Sequence, residues 1–291
     1  MSDSNNKTGS IKNVGVIGSG IMGSGLTEVF AKAGFDVVVR SRTAEGAAGV
    51  VAGLERSLAK QVERGKLEAD EGSTIVARVR PTADLADLAD CDLVIESVVE
   101  DLATKRELFA ALDGIVKASA ILATNTSTLP VVELAMVTNR PEQVCGVHFF
   151  NPAPAMKLVE IIRPITASDA TIDAVTAVAT RCGKDPVEVA DRAGFIVNAL
   201  LFPYLNNAIR MFENGTASKE DIDTAMQGGC NFPMGPFALL DLVGLDTSLA
   251  ILDALYAEFR DPNYAAMPLL RRMVAAGHLG RKSGQGFYRY G

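Results

Sequence analysis

Val14-Gly15-Val16-Ile17-Gly18-Ser19-Gly20-Ile21-Met22-Gly23 is the stretch that decides the fold of this chain. Val14 to Ile17 is a short apolar run of strand character, and a helical pattern from Met22 to Ala33 opens within the glycine spacing that follows it. Between a strand and a helix, Gly-x-Gly-x-x-Gly has a defined physical use. The first glycine permits the tight turn, the second lets the backbone approach a pyrophosphate, and the third lets helix and strand pack closely. The helix N-terminus then presents unpaired N–H groups to the phosphates. Gly18, Gly20, Ile21, Met22 and Gly23 are therefore the candidate phosphate cradle of a dinucleotide site. The plain alternative is an ordinary glycine-rich loop, which requires neither flank.

Further along the chain, an acidic residue that grips the adenosine ribose 2′-OH is expected about 20 residues on, at the end of the second strand. The sequence there is Val37-Val38-Val39-Arg40-Ser41-Arg42, with Ser41 where the acid would stand. A carboxylate repels a 2′-phosphate, whereas a hydroxyl beside guanidinium groups binds and neutralises one. Ser41 and Arg42 thus favour NADP over NAD. The alternative leaves Arg40 and Arg42 as solvated loop charges and NAD as the cofactor.

The surrounding pattern extends the same architecture. Strand candidates at Val14 to Ile17, Val37 to Val39, Leu93 to Ile95, Ile121 to Ala123 and Val144 to His148 alternate with helical patterns at Ala44 to Arg64, Ala69 to Arg78 and Leu102 to Ile115. Such alternation predicts a parallel sheet with helical crossovers. Near Pro186 to Asp191 the pattern changes, and from Gly194 onward only helices are predicted. Phe195 to Phe212 is apolar on nearly every side, so it is expected to be buried all round, in a helical core or against a second subunit. Ser218 followed by Asp221 resembles a capping box opening the helix Ile222 to Met226. The fold expected is an α/β dinucleotide-binding domain over 1–190 and an all-α domain over 191–291.

Composition narrows the function classes. In 291 residues, Lys+Arg 28 against Asp+Glu 35 gives a net charge of -7, and no basic run appears, which excludes a surface that tracks nucleic acid. Four Cys without a Cys-x-x-Cys spacing argue against a disulfide framework and for the cytoplasm. The longest apolar stretch, Ala193 to Ile209, is interrupted by Asn198, Pro203, Asn206 and Asn207, so no membrane span is expected. Met1 to Ser10 is polar and expected to fray. With only His148 and His278, a multi-histidine metal centre is not expected.

Five further motifs stand in order: Asn125-Thr126-Ser127, His148-Phe149-Phe150-Asn151-Pro152, Gly194-Phe195-Ile196-Val197-Asn198, Pro233-Met234-Gly235-Pro236 and Gly280-Arg281-Lys282-Ser283-Gly284-Gln285-Gly286-Phe287-Tyr288. Together they resemble the 3-hydroxyacyl-CoA dehydrogenases, above all the short bacterial 3-hydroxybutyryl-CoA dehydrogenases, from about Ile11 to the C-terminus. The resemblance implies a Rossmann-type domain followed by a helical domain that dimerises. It implies a catalytic pair of His148 and Glu160, with Ser127 and Asn198 bonding the substrate's 3-oxygen. It also implies Glu100, Lys105 and Asn125 near the cofactor, and Ser57, Lys60 and Asn151 on the acyl-CoA substrate. Alone, His148 would read as a packed core histidine; Asn151-Pro152 and Glu160 reverse that reading. Plain alternatives for Ser127 and Asn198 are an N-cap and an amide satisfying a helix end. His278 matches no role in the family and is expected in a loop.

The implied reaction interconverts (S)-3-hydroxyacyl-CoA and 3-oxoacyl-CoA by hydride transfer, with 3-hydroxybutyryl-CoA and acetoacetyl-CoA as the default pair. Two departures from the family pattern stand out: the acid absent at Ser41, and Phe232 where close relatives often carry His. Rival readings are the same chemistry on a carrier-protein-bound or diacid thioester, and a non-catalytic structural paralogue.

Overall fold

Eight strands form one sheet: β1 (Asn13–Ile17), β2 (Asp36–Arg40), β3 (Val79–Thr82), β4 (Leu93–Glu96), β5 (Ile121–Thr124), β6 (Val144–Phe149), β7 (Leu158–Arg163) and β8 (Asp185–Ala190), in the order β3-β2-β1-β4-β5-β6-β7-β8. They belong to a computed structural model that describes residues 11–291; the fraying expected of Met1 to Ser10 lies outside the described residues. The described chain divides into two compact units between Asp191 and Arg192.

In the first unit, β3 through β6 are mutually parallel, joined by the crossovers α1 (Ile21–Lys32), α2 (Ala44–Glu63), α3 (Ala69–Ala77), α4 (Leu102–Asp113) and α5 (Val131–Ala135). The central strands are buried on both faces, which is why they read as unbroken apolar runs. The five strands read from the sequence are parallel as expected; beyond them, β7 pairs antiparallel to β6, and β8 runs parallel to β7. Three strands escape a search for apolar runs. β3 and β8 are the two edges, where Pro81, Pro186, Asp185 and Glu188 are tolerated because one side of the ladder is unpaired. β7 carries Glu160 in its middle. Before β8 comes α6 (Asp169–Arg181), opened by Ser168, whose Oγ accepts from the Thr171 N–H.

The second unit holds α7 (Val197–Glu213), α8 (Lys219–Cys230), α9 (Pro236–Val243), α10 (Leu245–Phe259) and α11 (Pro268–Ala275) around Phe202, Leu205, Ile209, Phe237, Leu240 and Leu252. The capping reading of Ser218 matches: its Oγ accepts from the Asp221 N–H, and α8 begins three residues earlier than read. Within the chain itself α7 is buried on one stripe only. Phe202, Leu205 and Ile209 share the inner stripe, whereas Leu200 (73% exposed) and Met211, about three turns apart and so in line with each other, face outward.

Two buried carboxylates explain the motifs of this unit. Asp223 accepts from the Phe237 and Ala238 N–H groups at 2.8 and 3.1 Å, capping α9 directly after Pro233-Met234-Gly235-Pro236. Asp241 accepts from the Phe287 and Tyr288 N–H groups, both at 2.8 Å, and from the Tyr290 hydroxyl, docking the tail. Among the described residues no helix is long and apolar enough to cross a membrane.

Candidate active site

The turn after β1 is closed too tightly for side chains at two of its glycines. A Cβ on Gly18, where φ is +127°, would stand 2.2 Å from the Ser97 carbonyl oxygen beyond β4; one on Gly23 would stand 2.1 Å from the Gly18 carbonyl oxygen. Around Gly20 the opposite holds, with no atom within 4 Å of that position. Gly20 is also the N-cap of α1, without a side-chain cap or an acidic residue in the first turn. An open approach to backbone N–H groups at a helix start fits a pyrophosphate, so these residues suit a dinucleotide.

At the end of β2, Ser41 is buried and its hydroxyl lies 2.8 Å from that of Ser19 within the glycine turn. The two flanking arginines differ. Arg40 donates its Nε–H to the Ala83 carbonyl at 3.2 Å, so its guanidinium is held against the segment after β3. Arg42 is exposed and makes no hydrogen bond or ion pair among the described residues. Of the two cations read beside Ser41, only Arg42 is free to meet a ligand.

His148 and Glu160 are directly opposed across the antiparallel β6–β7 ladder, so their side chains leave the sheet on the same face. Nδ1 of His148 lies 2.7 Å from Glu160 Oε2, and its Nε2 lies 3.2 Å from the Ser127 hydroxyl. Both members of the pair are buried. The carboxylate favours a proton on Nδ1, which leaves the Nε2 lone pair facing Ser127. The connection between the strands includes the cis peptide Asn151-Pro152, with Asn151 exposed. Lys184 secures it by donating from Nζ to the Ala153 and Met156 carbonyls at 2.6 and 2.8 Å, and burial holds this ammonium below the usual lysine range.

Beside Ser127 lies an ionic network. Glu100 Oε1 accepts from the Thr126 hydroxyl at 2.5 Å and the Ser127 N–H at 2.8 Å, and its Oε2 is 3.2 Å from Lys105 Nζ. Lys105 is fully buried and donates to both oxygens of Glu96, at 2.7 and 2.9 Å. Asn125 accepts through Oδ1 from the Phe149 N–H, tying the Ser127 segment to β6 beside His148. Sequence reasoning missed Glu96 and Thr126. The available signal was a carboxylate closing the apolar run Leu93-Val94-Ile95, where a strand enters the site.

Gly18 through Gly23, Glu96, Asn125, Ser127 and His148 stand at or just beyond the carboxyl ends of β1, β4, β5 and β6. These are neighbouring parallel strands, so the residues share one edge of the sheet, where open α/β sheets bind ligands. Ser57 turns inward on α2, donating its hydroxyl to Glu28 on α1 at 2.9 Å, whereas Lys60 is exposed. Asn198 is buried at the start of α7 in the second unit. His278 lies outside the helices, after α11. Among the described residues no cluster of three or more His, Cys, Asp or Glu side chains stands ready to hold a metal ion.

A glycine-lined turn for a dinucleotide and an oriented imidazole on the same sheet edge define a nicotinamide-dependent oxidoreductase. The particular kind follows from comparison: residues 13–192 match the family model described as 3-hydroxyacyl-CoA dehydrogenase, NAD binding domain, and residues 194–290 match its C-terminal domain. The chain belongs to the 3-hydroxyacyl-CoA dehydrogenase family. It is 48% identical over 275 residues to a 3-hydroxybutyryl-CoA dehydrogenase of Clostridioides difficile, covering 94% of this chain and 98% of that one. It is 48% identical over 285 residues to a 3-hydroxybutyryl-CoA dehydrogenase of Mycobacterium tuberculosis, covering 96% and 99%. The crystal structure of the (S)-3-hydroxybutyryl-CoA dehydrogenase of Ralstonia eutropha superposes with a TM-score of 0.95 at 42% identity, covering 97% and 100%.

Proposed function

We propose that this enzyme interconverts short-chain (S)-3-hydroxyacyl-CoA and 3-oxoacyl-CoA, with 3-hydroxybutyryl-CoA and acetoacetyl-CoA as its pair and NADP preferred over NAD. The line Ser127–His148–Glu160, at 3.2 and 2.7 Å, carries the reading. In the oxidative direction Nε2 of His148 takes the proton of the substrate's 3-hydroxyl, and Glu160 stabilises the imidazolium that forms. On reduction the same imidazolium returns the proton. Ser127 donates to the 3-oxygen as charge shifts onto it. A bound nicotinamide supplies the hydride exchange. Family membership alone supports Asn198 as a second donor to that oxygen, and Ser57, Lys60 and Asn151 as acyl-CoA contacts; the Ser57–Glu28 bond would have to open for Ser57 to serve.

Ser41 and the exposed Arg42 support NADP. Initial rates with acetoacetyl-CoA should give a higher kcat/KM for NADPH than for NADH, and Arg42→Ala should lower the NADPH value by about tenfold or more, as for a lost bond to a charged group. A higher value for NADH would overturn the cofactor preference and leave the acid–base roles standing. We also propose a homodimer formed through the second unit, supported by the outward-facing Leu200 and Met211 of α7 and by Leu242 of α9. Four free cysteines, two of them buried, agree with work in the cytoplasm.

A further inference from the structure

We infer that Glu96 is a positioning residue for the reaction, acting through Lys105 and Glu100 to hold Ser127 against His148. Glu96 closes β4 and is completely buried, yet every oxygen position on it is used. Oε1 accepts from the Val98 N–H at 2.6 Å and from Lys105 at 2.7 Å; Oε2 accepts from Lys105 at 2.9 Å and from the Thr124 hydroxyl at 2.7 Å. A carboxylate taken wholly out of water requires such partners. What they join is specific. Lys105 stands between two carboxylates, Glu96 on its buried side and Glu100 on the other. Glu100 in turn receives the N–H of Ser127, whose hydroxyl faces the imidazole.

The charges set the direction of the effect. With Glu96 ionised, the ammonium is shared between two acceptors, and Glu100 keeps Oε1 for Thr126 and Ser127. With a neutral amide in place of Glu96, the buried ammonium keeps Glu100 as its one carboxylate partner, and its attraction falls there alone. Glu100 then swings toward the ammonium and Ser127 loses the acceptor that registers its backbone. Glu96 touches neither imidazole nor Ser127, so its influence on rate passes through the network.

The inference rests on the role proposed above for Ser127, and a double-mutant cycle separates the two. Glu96→Gln should lower kcat by about tenfold with little change in KM for either substrate, in the range usual for loss of an outer orienting partner. In a Ser127→Ala background the same substitution should change kcat no further. Thr124→Val, which removes one donor to Glu96 and leaves every charge in place, should show a smaller loss of about threefold that also vanishes in Ser127→Ala. It carries the test if Glu96→Gln does not fold. An equal fold-loss in both backgrounds, or a rise in KM at constant kcat, would overturn the positioning role. A Ser127→Ala enzyme with parental kcat would instead overturn the reading of Ser127 itself.

Discussion

Both units of this enzyme bury carboxylates, and they do so to different ends. In the first, the buried Glu96 and Glu160, and the exposed Glu100 beside them, face side chains that can move a proton or a charge: Lys105, His148 and the hydroxyls of Thr124 and Thr126. In the second, Asp223 and Asp241 face backbone N–H groups and tyrosine hydroxyls, closing a helix start and a returning tail. Burial of an acid therefore does not mark a site. Its partner does: a backbone N–H fixes a chain path, whereas an imidazole or ammonium answers to a ligand.

The contrast breaks most readily at His148. His148→Gln should lower kcat by about 10²–10⁴-fold, the usual worth of a positioned acid–base group, with a thermal midpoint near that of the parent. Steady-state kinetics beside a melting curve check this, and near-normal kcat in a folded variant would remove the base assignment.

Asp241→Asn should do the reverse. The new amide can accept from only one side, so one of the Phe287 and Tyr288 N–H groups loses its partner, at about 2–3 kcal/mol of stability. Urea denaturation measures that loss, while kcat well below the transition should stay near the parental value. Added mass also has little room here, since a Cβ on Gly286 would overlap the Asp241 carboxylate.

The smallest effect tests whether the first unit also contains purely structural acids. Asp101 caps α4, the helix that carries Lys105, and the Thr104 hydroxyl and N–H hold its carboxyl below the usual range. A depressed folded value means that the cap stabilises fully above the ordinary carboxylate range and is lost as pH falls through the folded value. Asp101→Ala should therefore lower the thermal midpoint by a constant amount from pH 7 to about 5, and the gap should shrink below about pH 4. A gap that widens in acid would contradict the capping role.

Much of the first unit was legible because its signals are local. The turn at Gly18 to Gly23 joins a strand to a helix over ten consecutive residues, and β1, β2, β4, β5 and β6 are apolar enough to be read singly. β3 and β8 were not, because edge strands may carry charge and proline. The division of α7 into an inner and an outer stripe was not legible either, because apolar composition does not say which stripe of a helix meets a core.

The sequence by itself determined the dinucleotide turn, the helical character of the second half, and the residue types at His148 and Glu160, each a matter of local spacing or family resemblance. Only the tertiary structure decided that β7 reverses direction, and this reversal sets Glu160 directly opposite His148, twelve residues away in sequence. It likewise decided that Arg40 is held while Arg42 is free, and that Glu96, Lys105 and Glu100 form one network behind Ser127. The physical reason is common to all three. Strand pairing and side-chain bonding join residues far apart in the chain, and no local pattern records which partner each one finds.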